Sequence, residues 1–349
     1  MNLRLRASMQ DLRVYLDDAL LFSAQLPASG RLSAPPASVW HFVPLPDQLA
    51  GKSLTLEISS PTGNFAGLVN EVTIGTGDAL LWDLLNQNRV NLLVVLFLLC
   101  FGLLAILANV ILRQLPDARL FYLGLFALSV AVWQFSEARL MQLISGNRFI
   151  LGSISYLVLA ISPIPLLLYL RVAVIPRYKK LFAGLAAGFA SCFVLILLLQ
   201  LGGLVFFIES ALLTNALLLG VVTLILVLLL YDMIKHKNRL ARGFLQASSA
   251  LLVTIVIETV LFFSGKYETI SLYSRVGIVI FFLILAASAV RSINSMLQQE
   301  EETRLLSRLA FVDALSGAAN RLAFERDMEK RNTTQTAFML LMMDINNLK

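Results

Sequence analysis

A carboxylate near the end of the chain is the residue best placed to do chemistry. Residues 337–343 form an uninterrupted apolar run, and Asp344 follows it directly. A short apolar run that stops at a carboxylate is typical of a buried strand with a ligand-binding residue at its carboxyl end. The sequence therefore predicts that Asp344 binds a ligand.

A turn-rich segment, Asp313-Ala-Leu-Ser-Gly-Ala-Ala-Asn320-Arg321, precedes that run. Asn320 is placed to cap a following helix that carries Phe324 on its apolar side. The segment resembles the opening motif of GGDEF-domain diguanylate cyclases, D-x-L-T-G-x-x-N-R-x-x-F. Residues 344–349 resemble the second motif of that family, a strand ending in D-x-D-x-F-K.

The resemblance implies an enzyme that joins two GTP molecules into cyclic di-GMP with Mg²⁺ as cofactor. It implies that Mg²⁺ is bound by the Asp344 carboxylate and the Ile345 backbone carbonyl. The Asn347 and Leu348 amides would face the GTP phosphates, and Lys349 would add positive charge there. Because two such domains, each holding one GTP, must meet, the resemblance also implies a homodimer.

The chain departs from the family pattern at three positions. Ser316 stands for the usual threonine, Asn346 for the second acidic residue and Leu348 for the usual aromatic residue. The glycine-rich turn that names the family would lie beyond Lys349, so we expect the chain as given to be inactive. Two possibilities stay open for the complete protein, an active cyclase and a degenerate, non-catalytic GGDEF domain.

The composition is that of a membrane protein. The chain has 349 residues, of which 58% are hydrophobic and 14% charged, whereas a soluble domain carries about 25% charged residues. The net charge of +6 does not indicate nucleic-acid binding, because the basic residues cluster at the ends of apolar runs. Cys100 and Cys192 lie inside such runs and predict no disulfide or metal site.

Seven apolar stretches between residues 88 and 290 predict a seven-helix transmembrane bundle, because each is close to the roughly 20 residues that a spanning helix needs. They are residues 90–112, 120–142, 149–170, 181–201, 204–231, 244–263 and 270–290. The second is the weakest, since it includes Glu137 and Arg139, and a count of six is the alternative.

Loop charges predict the orientation, since Lys and Arg are retained on the cytoplasmic side. The first, third and fifth loops hold ten of these residues: Arg113, Arg119, Arg171, Arg177, Lys179, Lys180, Lys235, Lys237, Arg239 and Arg242. The second, fourth and sixth hold four: Arg139, Arg148, Lys266 and Arg275. We therefore expect an extracytoplasmic amino end and a cytoplasmic carboxyl end. The resemblance to diguanylate cyclases implies that the membrane is a bacterial inner membrane.

Residues 1–82 are predicted to be β-rich, because residues 54–59 alternate strictly and residues 12–16 and 69–74 do so in part. The order of an exported β-domain, seven spans and a GGDEF start resembles bacterial seven-transmembrane receptors with diverse intracellular signalling modules. The resemblance implies a partial jelly roll and a small-molecule ligand such as a carbohydrate. No secretory signal precedes the β-rich part, so we expect the chain to begin downstream of its natural start.

Residues 291–309 predict a helix that leaves the membrane, either as a coiled coil or as a solvated connector, before the GGDEF start at 310–349. Glu258 is predicted to lie deep in the sixth span, about ten residues from either water layer, where a carboxylate is costly and marks either a functional site or a structural hydrogen bond. Glu137, Glu209 and Arg275 lie near span ends and join it as candidates for a ligand or coupling site.

Two further classes of protein are weighed against the receptor cyclase. A sensor histidine kinase needs a phospho-acceptor histidine, and no histidine follows His236. A transporter needs paired polar groups in corresponding halves of the bundle, and no internal repeat is visible in the sequence.

Overall fold

The structure is a computed structural model that describes residues 1–27, 30–60, 67–111, 118–264, 272–313, 315–334, 339 and 341. The chain divides into two compact units, Met1–Ala289 and Val290–Lys349.

Two small antiparallel sheets form the amino-terminal part of the first unit. One sheet has the strand order β4-β1-β6 and the other β3-β2-β5. The strands are β1 (Asn2–Ser8), β2 (Asp11–Leu16), β3 (Ala19–Ala24), β4 (Ser38–Pro44), β5 (Leu54–Ser59) and β6 (Thr73–Gly75). The predicted strands at 12–16 and 54–59 are confirmed, whereas only the end of the predicted 69–74 run is a strand.

The two sheets share one apolar core, which makes them a sandwich. Leu3 and Leu5 of β1 and Val43 of β4 are buried together with Leu12 and Val14 of β2. In the register of β1 with β4, Leu3 lies opposite Val43. Because side chains alternate between the two faces of a strand, the same register turns the arginines of β1 to the other face of its sheet. That this sandwich is part of a jelly roll stays a prediction.

A short helix, α1 (Gly77–Gln87), is tied to that other face by a buried guanidinium. Arg4 is fully buried. It donates to the Leu80 carbonyl at 2.9 Å, to Asp83 Oδ2 at 2.8 Å and to Thr73 Oγ1 at 3.0 Å. Since a buried charge is tolerated only when it is paired and hydrogen-bonded, these bonds fix α1 on the sheet.

Among the described residues, seven helical segments are long and apolar enough to cross a bilayer, which confirms the predicted count. They are α2 (Arg89–Ile111), α3 (Arg119–Glu137), α4 (Arg148–Ile161) joined with α5 (Pro163–Tyr169), α6 (Lys179–Leu201), α7 (Phe207–His236), α8 (Arg239–Phe263) and α9 (Leu272–Phe311). The second has the lowest mean hydropathy, 1.4 against 3.0 for the first, as its charged end predicts. The chain is therefore a multi-pass membrane protein.

The third of these segments is interrupted where the sequence places two prolines. Pro163 has no N–H to donate to the Leu159 carbonyl four residues earlier, so the α-helical ladder breaks at Ser162. The Ser162 hydroxyl donates to that carbonyl instead, at 3.4 Å. A π-helical turn, Leu170–Val174, ends the segment. The irregular part of this segment thus begins at Pro163.

Candidate ligand site between the sandwich and the helices

The sandwich is attached to the helices by a glutamine side chain that completes the edge of a sheet. Gln142 lies in a 3₁₀ turn, Leu140–Leu143, just after α3. Its Oε1 accepts a hydrogen bond from the Trp40 amide at 2.8 Å, and its Nε2 donates to the Trp40 carbonyl at 2.8 Å. Trp40 belongs to β4, an edge strand, so the amide of Gln142 satisfies backbone groups that would otherwise be unpaired.

The segment between β3 and β4 makes further close contacts with the helices. The Leu32 amide donates to the Leu201 carbonyl at the end of α6, at 2.8 Å. A Cβ at Gly152 of α4 would lie 2.7 Å from the Pro35 carbonyl oxygen, and one at Gly203 would lie 2.6 Å from Gly30. Both positions therefore require glycine, and they hold the sandwich close to the ends of α4 and α6.

A cleft of about 180 Å³ lies beside this attachment, and we call it the junction cleft. Its polar lining comes from both parts of the unit, with Gln10, Gln25 and His41 on the sandwich side and Gln142 and Arg148 on the helix side. The remaining walls are small or apolar: Ala24, Leu26, Pro27, Pro35, Ala37, Val39, Gly146 and Leu151. Among the described lining residues, two carry or can accept a positive charge and none is acidic.

Arg148 and His41 approach the junction cleft from opposite sides. Arg148 is the first residue of α4, and its Nη1 donates to the Gln25 carbonyl at 3.2 Å. The His41 ring packs at a tilt on Phe22, with centroids 5.2 Å apart. Burial lowers the pKa of the His41 imidazole below its ordinary value, and the Arg148 guanidinium lowers this pKa further, because both disfavour a second cation.

The two buried or half-buried glutamines of the cleft already have partners. Gln10 Oε1 accepts from the Ser8 amide at 3.1 Å, and its Nε2 donates to the Leu68 carbonyl at 2.9 Å. Gln142 is held by both backbone groups of Trp40. The groups that can hydrogen-bond a ligand are therefore Arg148, whose guanidinium has five donors, His41, for which the described residues offer no hydrogen-bond partner, and the exposed side-chain amide of Gln25.

Glu137, one of the predicted site residues, lies near the attachment but does not line the cleft. Its Oε2 is 3.8 Å from Arg139 Nη2. Arg139 in turn lowers the pKa of Arg6 on β1, as a smaller cause than burial. Arg6 and Arg4 both place their guanidinium groups over the Trp40 ring, at 5.5 and 5.3 Å from its centroid. This face is a packed cation–π cluster.

Glu209 has a local structural role. It is the third residue of α7, and its Oε2 accepts from the Phe206 amide at 2.9 Å. This bond satisfies one of the amides that a helix start leaves unpaired, as in a capping box. A carboxylate there also interacts favourably with the positive end of the helix dipole. Its position is explained by the capping of α7.

Glu258 and Arg275 are brought together where α8 and α9 meet. Glu258 Oε1 accepts from the Ser274 amide in the first turn of α9, at 2.8 Å. The Glu258 carboxylate attracts the positive charge of the half-buried Arg275. The Nε of Arg275 has no hydrogen-bond partner within the described residues. Glu258 lies five residues before the end of α8. Its depth relative to the two water layers, and a single pocket shared by the four predicted residues, stay predictions.

The Asp313–Asn320 segment of the second unit is a tight connector between α9 and α10 (Arg321–Thr334). Asp313 Oδ1 accepts from the Ser316 amide at 2.8 Å, the Ser316 hydroxyl at 2.8 Å and the Leu315 amide at 3.1 Å. These bonds stabilise the carboxylate and lower the pKa of Asp313, with the Ser316 amide as the largest cause. Gly317 has a φ of +68°, which favours glycine.

Asn320 caps α10, as predicted. Its Oδ1 accepts from the Ala323 amide at 3.0 Å, and its Nδ2 donates to the Ala310 carbonyl of α9 at 2.8 Å. Three residues that carry the resemblance to the first cyclase motif, Asp313, Gly317 and Asn320, thus shape this turn together with Ser316, which stands for the usual threonine.

The residues implied to bind Mg²⁺ and GTP, which are Asp344, Ile345, Asn347, Leu348 and Lys349, lie outside the described residues, as does most of the apolar run before them. Within the described ranges, no group of three or more His, Cys, Asp or Glu side chains is placed to hold a metal ion.

Comparison of the chain with family models, with curated proteins and with solved structures finds no match. The fold and the junction cleft define a class, a multi-pass membrane protein with a β-sandwich docked on its helices. The particular function has to be inferred from the residues themselves.

Proposed function

We propose that this chain is the receptor part of a membrane signal receptor whose cytoplasmic output is a GGDEF domain that makes cyclic di-GMP from two GTP molecules. The observation that carries the proposal is the Asp313–Asn320 connector. It follows α9 directly, and its hydrogen bonds explain why Asp, Ser, Gly and Asn stand at those spacings. Asp344 and Ile345 as Mg²⁺ ligands, and Asn347, Leu348 and Lys349 at the GTP phosphates, rest on the resemblance alone.

The docked sandwich supports a receptor over a transporter. Its contacts with Gln142 and Leu201 fall at the ends of α3 and α6, next to two of the loops that carry few basic residues. Those loops are the ones that charge asymmetry assigns to the extracytoplasmic side. The sandwich, the junction cleft and those loops then share one side of the membrane, the extracytoplasmic side.

A degenerate GGDEF domain is the second candidate, and a specific observation favours it. Asn346 and Leu348 replace the acidic and aromatic residues of the second motif, and the loss of one negative charge weakens the attraction for Mg²⁺. In that case the receptor would signal through domain pairing instead of product formation.

The deciding experiment measures cyclic di-GMP formed from GTP and Mg²⁺ by a purified protein that carries the complete GGDEF domain. We expect Asp344→Ala to abolish product formation, since it removes a charged metal ligand, and Asn346→Asp to leave activity equal or higher. Glu329→Gln, which removes an exposed carboxylate of α10, is the matched control and should retain activity. Full activity of Asp344→Ala would refute the assignment, and no product from any variant would favour the degenerate domain.

A further inference from the structure

We infer that the junction cleft binds a small organic anion, a short carboxylate, through the Arg148 guanidinium and the His41 imidazole. This inference gives a ligand class to the receptor role proposed above and rests on that role. It starts from a charge imbalance. The cleft lining contains Arg148 and His41 but no Asp or Glu, and Arg148 has no carboxylate partner within the part of the chain that the structure describes.

The geometry suits a carboxylate. The planar guanidinium presents paired donors that match the two oxygens of a carboxylate, and one donor of Arg148 is held by the Gln25 carbonyl at 3.2 Å. That bond limits the rotation of the guanidinium, so less conformational freedom is lost on binding. Arg148 also stands at the amino end of α4, where the helix dipole adds positive potential.

Size and wall chemistry restrict the rest of the molecule. A cavity of about 150 Å³ can hold benzene. The junction cleft, at about 180 Å³, therefore suits a ligand of about the size of benzene or slightly larger. Typical sites for drug-sized ligands are about 300 to 1,000 Å³. The walls contributed by Leu26, Val39 and Leu151 are apolar and favour a short aliphatic or aromatic body.

A sugar, the ligand first expected, fits this cleft less well than a carboxylate. A sugar carries several hydroxyl groups that each need a hydrogen-bond partner once buried. The side-chain amides of Gln10 and Gln142 are already occupied by backbone groups, which leaves the amide of Gln25 as the third glutamine of the lining. The His41 ring, the aromatic group of the lining, packs on Phe22.

The position of the cleft gives binding a consequence. Arg148 belongs to the helices and His41 to strand β4 of the sandwich, so an anion that contacts both joins the two parts directly. The anion would bind beside the two hydrogen bonds that join Gln142 to Trp40. Any ligand that binds the docked form but not the undocked form stabilises docking by mass action.

The test is direct binding to the purified chain in lipid nanodiscs, without nucleotide, by isothermal titration and thermal unfolding. The probes are acetate, propionate and benzoate, with benzamide, glucose and inorganic phosphate for comparison. We expect saturable binding of a carboxylate and none of benzamide. Arg148→Gln should weaken this binding at least about tenfold, and His41→Gln several-fold. Arg31→Gln, which changes an exposed arginine that does not line the cleft, should bind as the unmodified chain does.

Three results would overturn the inference. Equal binding of benzamide and benzoate would show an apolar pocket without anion recognition. Preferred binding of glucose or phosphate would assign another ligand class. If the folded chain, shown by an intact unfolding transition, binds none of the carboxylates at about 10 mM, the junction cleft is not a carboxylate site. Because cyclic di-GMP is not measured here, each of these failures is distinguishable from failure of the proposed cyclase output.

Discussion

Replacing Gln142 with alanine should loosen the sandwich from the helices by an amount that the structure allows us to calculate. The substitution removes two neutral hydrogen bonds, both 2.8 Å long, to the Trp40 backbone. Such bonds contribute about 1 kcal/mol each. Trp40 is half-buried, so water can reach the freed groups and the larger penalty for fully buried ones does not apply. The expected loss is about 2 kcal/mol, or roughly a 30-fold rise in the undocked population.

Hydrogen–deuterium exchange of the β4 peptide in nanodiscs measures this change directly. Exchange at β4 should become faster in Gln142→Ala, while exchange at β2, in the other sheet, stays as it was. Gln142→Glu should also exchange faster, because its carboxylate can accept from the Trp40 amide but cannot donate to the Trp40 carbonyl. Gln87→Ala is the control, since its amide bonds within α1 and is exposed. Unchanged exchange at β4 in Gln142→Ala would show that the two hydrogen bonds from Gln142 do not hold the sandwich on the helices.

Two other perturbations test electrostatic contacts. Burial and Arg148 lower the pKa of His41 in the folded chain, so the unfolded chain binds more protons below about pH 6.5 and stability should fall as pH drops through that value toward the lowered pKa. The unfolding midpoint measured between pH 5 and 8 should change less with pH in His41→Gln than in the unmodified chain, and an equal pH dependence would contradict this assignment. Glu258→Leu should lower stability by about 1 to 2 kcal/mol by removing the acceptor for the Ser274 amide, whereas Glu258→Gln, which keeps an amide oxygen there, should lose less; the same midpoint for both variants would argue against that bond.

Two of the predicted site carboxylates cap helices, whereas the proposed ligand site lies at the junction cleft. Glu209 and Glu258 each accept from the amide of a helix start, at 2.9 and 2.8 Å. Both are therefore explained by capping, which any membrane helix needs where its first amides lack partners. The junction cleft differs because Arg148 has further N–H donors, and His41 has ring nitrogens, that have no hydrogen-bond partner within the described residues.

Local patterns determined much of this protein from sequence. Hydropathy over about 20 residues depends on the segment alone, so the seven long helices could be counted in advance. The cap at Asn320 and the strands β2 and β5 follow equally local rules. Strand β1 was missed, although Leu3, Leu5 and Ala7 alternate with polar residues in the sequence, and that alternation is the signal that could have identified it.

Only the tertiary structure decided where the sandwich attaches and where a ligand could bind. Trp40 and Gln142 are 102 residues apart in the sequence. His41 and Arg148, which are also far apart in the sequence, line the same cleft. Sequence spacing carries no information on such contacts, because they depend on how separate elements pack and not on near neighbours along the chain. The same holds for Glu258, whose charge alone left a functional site and a structural hydrogen bond open, while packing placed it against the first turn of α9.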